Sequence, residues 1–109
     1  MSIEQIDKID FISTTSEGKV ELTISDHLEW DAEKNHLLVL QNKINAYLDF
    51  VKSGQILEDY PSAENKEITI SVVMKYAPKE DALTFLNRCE KFVEEQSVEF
   101  KWKVAKEDL

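Results

Sequence analysis

The chain has 109 residues, 42% hydrophobic and 32% charged, with two Gly, two Pro and a formal net charge of −9. That length predicts one domain over residues 1–109, and the composition excludes a fibrous or disordered chain. One cysteine, Cys89, excludes an internal disulfide framework, while Arg88 as the single arginine argues against nucleic acid as a partner and the acidity favours a partner with a basic surface or simple solubility.

The opening MSIEQIDK has neither a basic nor an apolar leader pattern, and no stretch is apolar enough for a membrane span. The expectation is a cytoplasmic protein with no membrane or nucleic-acid partner. Residues 6–13, with Ile9, Phe11 and Ile12 among Asp7, Lys8 and Asp10, read as a short charge-interrupted strand. Glu17 and Gly18 make a turn, and residues 19–25 alternate Val20, Leu22 and Ile24 against Glu21, Thr23 and Ser25, which predicts a β-hairpin.

Over 31–53 the period becomes helical. Leu37, Leu40, Ile44, Tyr47, Leu48 and Val51 share a stripe, Asp31 is placed to cap the start and Gly54 to end it. The loop 55–66 is too apolar for a free linker, so Ile56, Leu57, Tyr60 and Pro61 are expected against Tyr47, Phe50 and Val51. Residues 67–76 alternate again, with Ile68, Ile70, Val72, Met74 and Tyr76 on an apolar face and polar residues between them. Pro78 fits a first helical position, and Ala82, Phe85, Leu86, Cys89, Phe92 and Val93 form the buried stripe of a second helix. A last strand places Val98, Phe100, Trp102 and Val104 opposite Glu99, Lys101 and Lys103.

The order ββαβαβ with one wet strand face predicts an α+β two-layer sandwich: a four-stranded mixed sheet with both helices on one face. The charged outer strands favour the spatial order 1-2-3-4, with an interleaved ferredoxin-like order as the alternative.

The segments GKVELTISDHLEW, HLLVLQNKINAYLDFVKSGQ and ITISVVMKYAP, with the pair Tyr60-Pro61, occur in fixed order. Together they resemble a family of small bacterial proteins known as a domain of unknown function. The likeness runs over residues 6–102, and the helical segment ending in SGQ is its most specific part. The resemblance implies a stand-alone bacterial domain of this length; it supplies no activity, cofactor or catalytic residue.

No nucleophile with a matching base and no phosphate-cradling glycine pattern stands out, so no catalytic residue, cofactor or metal is assigned. Glu33 and His36 have the Glu-x-x-His spacing of paired metal ligands, but such sites need a second pair, and a surface histidine near a helix start accounts for His36. Cys89, between Leu86 and Val93, reads as inert packing.

Two candidate sites follow. The first is the connection after the second strand, where Asp26, His27 and Trp30, with Tyr47 or Tyr60 as a lid, suit a small polar ligand or acid–base work. The second is the wet sheet face, where Thr23, Ser25, Thr69, Ser71 and Val73 lie inside a charged rim and suit docking. The leading expectation is a non-catalytic interaction module: a homodimer, an adaptor or an immunity-type partner of another protein.

Overall fold

The computed structural model describes residues 11–27 and 35–105. Strand β1 (Phe11–Thr14) turns into β2 (Val20–Asp26), followed by helices α1 (Asn35–Lys52) and α2 (Gln55–Asp59), strand β3 (Ile68–Met74), helix α3 (Glu80–Glu94) and strand β4 (Glu99–Val104). The four strands lie in the order β1-β2-β3-β4, with β1 antiparallel to β2 and the other pairs parallel. This is the expected α+β class and the expected 1-2-3-4 order. The interleaved alternative is ruled out. Two parallel pairings need long crossovers, which α1 with α2 and then α3 provide.

The hairpin closes through Thr15, whose amide donates to the Lys19 carbonyl (2.7 Å) and whose hydroxyl accepts the Lys19 amide (3.1 Å). Gly18 takes the left-handed conformation at φ +83°, which a side chain would strain. Of the opening strand, Phe11 and Ile12 fall in β1, while Ile9 lies outside the described residues. The registers align rows across the sheet, such as Phe11, Thr23, Ser71 and Lys101.

Side chains alternate across a strand, so even-numbered residues share one face. Val20, Leu22, Ile24, Ile68, Ile70, Val72, Met74 and Phe100 are all buried there. They form one hydrophobic cluster with Leu40, Ile44, Tyr47 and Leu48 of α1 and Leu86, Cys89 and Val93 of α3. Each large aliphatic side chain so buried contributes roughly 1.5–3 kcal/mol.

Several boundaries differ from the sequence expectation for physical reasons. Tyr76 is beyond β3, which ends at Met74 opposite Asp26, the last residue of β2, and its side chain is exposed. Helix α3 begins at Glu80 with Lys79 as its cap, since the Leu83 amide donates to the Lys79 carbonyl; Pro78 stands ahead of the helix. Residues 55–66 are not a plain loop. Gly54 ends α1 at φ +86°, α2 follows at once, and a 3-10 turn spans Pro61–Ala63. Ile56 and Ala63 reach the core and Tyr60 packs at its edge, but Leu57 and Pro61 are exposed because so short a helix turns only one apolar position inward. The expected cap Asp31 lies outside the described residues.

Helix α3 ends in a Schellman motif, in which the Ser97 amide donates to the Glu94 carbonyl and the Val98 amide to the Val93 carbonyl. Ser97 holds the left-handed position at φ +65°, a place that glycine usually takes. The C-terminal ends of α1 and α3 are tied where Lys52 Nζ donates to Gln96 Oε1 at 2.5 Å.

Candidate functional site

Asp26 is the last residue of β2 and has the same parity as Val20, Leu22 and Ile24. Alternation therefore drives a carboxylate into the core, where it is 1% exposed. His36 stands near the start of α1, four residues before Leu40 and seven before Lys43, on the helix stripe that faces the core. Its Nε2 donates to Asp26 Oδ2 at 2.6 Å, and the ring is 2% exposed. The expectation of a surface histidine is thus corrected. As a metal ligand paired with Glu33 it is untested, because Glu33 lies outside the described residues.

Two turns onward on the same stripe, Lys43 is fully buried, with its ammonium 5.5 Å from the centre of the Tyr47 ring. The Tyr47 hydroxyl donates to the Thr23 carbonyl at 3.0 Å. A polar line of His36, Lys43 and Tyr47 therefore runs under α1 and meets β2 at Asp26 and Thr23. Among the described residues no buried side-chain nitrogen or oxygen lacks a partner, the condition under which such a line can be stable.

The residues expected around a ligand separate. Asp26 and Tyr47 are sealed between β2 and α1, whereas His27 is exposed, and Tyr60 is half-buried with its hydroxyl 2.7 Å from Thr14 Oγ1. Trp30 lies outside the described residues. Sequence reasoning placed His36 at the surface and passed over Lys43. The signal was present, since both fall at the spacing of Leu40, Ile44 and Tyr47, but a polar residue on an apolar stripe is easily assigned to solvent.

The odd-numbered sheet face is partly roofed by its own charges. Thr69 is only 6% and Ser71 only 2% exposed, while Thr23 and Val73 are half-buried and Ser25 is exposed. Lys19, just before β2, reaches Glu99 of β4 at 2.8 Å and Glu67 at 3.5 Å, and Lys101 of β4 reaches back to Glu21 of β2 at 3.7 Å. These pairs cross the central strand in opposite directions and cover its small side chains. Hydrogen bonding to Glu99, followed by its charge, pushes the Lys19 ammonium above its ordinary pKa.

A third feature lies between the helices. Phe85, Arg88, Cys89 and Phe92 of α3 face Gln41, Ile44 and Asn45 of α1 across an open groove of about 320 Å³. The buried stripe of α3 is Ala82, Leu86, Cys89 and Val93, so Phe85 and Phe92 stand about 70–90° to one side of its centre. Phe92, expected in the core, is 47% exposed as a result. Burial pushes the Cys89 thiol up to about 11, so at neutral pH it is an uncharged part of the groove floor.

Among the described residues no group of three or more His, Cys, Asp or Glu side chains is placed to hold a metal, and no helix is long and apolar enough to cross a membrane. No curated protein and no solved structure shows significant similarity to the chain. A family model matches residues 1–106, and the chain belongs to that family, the family of unknown function DUF6572.

Proposed function

We propose that the protein is a non-catalytic interaction module of the bacterial cytoplasm and that it docks through the groove between α1 and α3. The reading takes both helices to cover the even-numbered face of the sheet as a two-layer sandwich. The single hydrophobic cluster that joins α1, α3 and the even-numbered strand residues supports this. The observation that carries the proposal is the groove itself: an apolar floor, a half-exposed aromatic ring at Phe92, and Arg88 at the rim. Aromatic and arginine side chains around a pocket are what interface centres are made of.

The sheet face with Thr23, Ser25, Thr69, Ser71 and Val73 is the weaker surface, because a partner there must first displace the Lys101–Glu21 and Lys19–Glu99 pairs. A small ligand at Asp26 is weaker still, since the carboxylate is sealed and already bonded to His36.

The test compares tagged wild type with Phe92→Glu in capture from the native lysate. Phe92 lies outside the core cluster, so the variant is expected to fold, with its melting temperature as the check. A protein held by wild type and lost by Phe92→Glu supports the groove. One that survives Phe92→Glu but is lost by Ser25→Glu moves the site to the sheet.

A further inference from the structure

We propose that the occupant of the groove is a second copy of this chain, and that the protein associates as a two-fold dimer through α1 and α3. The inference rests on the groove being the docking surface. It comes from the distribution of charge. In a chain of 109 residues that is 32% charged and carries −9, none of the seven described residues lining the groove is Asp, Glu or Lys, and the one charged residue among them is the chain's single arginine. Depletion of Asp, Glu and Lys with retention of Arg and aromatic residues is the composition of an interface centre, not of a solvated face.

Charge also says which partner fits. A heteropartner drawn by the net charge would be basic, and a basic surface laid on this groove would meet Arg88 and no lining carboxylate. Two acidic copies face the opposite requirement. They need a patch from which carboxylates have been removed, so that close approach does not set like charges side by side. A two-fold contact sets this lining against the same lining of the other copy. That lining holds both a cation, Arg88, and groups able to receive one, the side-chain carbonyls of Gln41 and Asn45 and the Phe92 ring. Lys52 bonded to Gln96 closes one end of the helix pair.

Self-repulsion of the remaining charge gives the dimer a signature. Salt screens repulsion between two negative chains, so association tightens as salt rises, whereas binding to a basic partner weakens. The experiment is sedimentation equilibrium of the full chain over a wide concentration range at about 0.05 M and about 0.5 M salt, spanning Debye lengths from well above to well below 10 Å. Wild type is expected to dimerise, at least about threefold more tightly at the higher salt. Phe92→Glu is expected to stay monomeric with an unchanged melting temperature. Cys89 supplies a second readout, since it is 8% exposed on the groove floor and its alkylation should slow as wild-type concentration rises.

A wild type that stays monomeric at both salts overturns the second copy, and the docking reading is then judged by the partner that Phe92→Glu loses in capture. A dimer that survives Phe92→Glu, or that loosens with salt, overturns the proposal as well, because the copies then meet on another face.

Discussion

Asp26 shows how one residue can be misjudged from its neighbours in sequence. Read with His27 and Trp30 it belongs to a polar connection; read by strand parity it belongs to the core, and the fold follows parity. A carboxylate at that depth has to be partnered, and His36 meets it at 2.6 Å. Asp26→Ala is expected to cost about 3 kcal/mol, since it removes a buried charged hydrogen bond to the His36 imidazole, and Asp26→Asn less, because the amide oxygen can still accept. Urea unfolding of the two variants measures both. A loss below about 0.5 kcal/mol for Asp26→Ala would show that the pair is not a structural bond.

Cys89 allows a pH prediction at the same scale. Its thiol is raised from 9.0 to about 11, so the folded state holds the proton where the unfolded chain has released it. The contribution is therefore fully present below about 9 and falls away as pH rises towards 11. Compared with Cys89→Ala, wild type should lose stability more steeply over that window, as followed by denaturant midpoints. Parallel curves would show the thiol to be freely solvated.

At the scale of the element, helix ends were legible where they rest on one backbone position and obscure where they rest on tertiary contact. Gly54 marks the end of α1 from sequence alone, because its left-handed φ is the usual reason for a glycine there. Ser97 performs the same task at the end of α3 without the usual residue, and only the structure discloses it. The motif survives because Val98 folds back on Val93 and both are buried. Ser97→Gly should relieve the strain of a positive φ and stabilise the protein by about 0.5–1 kcal/mol, read as a rise in melting temperature. A fall would mean that the serine hydroxyl does more than the backbone argument allows.

The strands were readable for a simpler reason: alternation over Val20, Leu22 and Ile24, and over Ile68, Ile70, Val72 and Met74, has one solution for a half-buried sheet. The burial of Thr69 and Ser71 was not readable, because it depends on which strand lies two places away and on long side chains crossing between β2 and β4. The groove escaped for a related reason. A helical pattern gives the width of an apolar stripe, but Phe85 and Phe92 become groove walls only once α1 is known to stand beside α3.

For the molecule as a whole, the division of polar groups is more telling than their number. Charged side chains are strapped across the sheet, the described lining of the groove holds no acid, and one polar line is taken inside. That internal line has a consequence for how many ways the chain can pack. A helix held to a sheet only by aliphatic side chains can slide or roll by a turn at little cost, since one greasy contact resembles the next. With His36 fastened to the tip of β2 and the Tyr47 hydroxyl fastened to the Thr23 carbonyl 11 positions along the helix, any such slip would leave hydrophilic groups stranded in a dry interior. The two bonds act as a pair of pegs, so that α1 has one resting place and presents the outer wall of the groove in one shape.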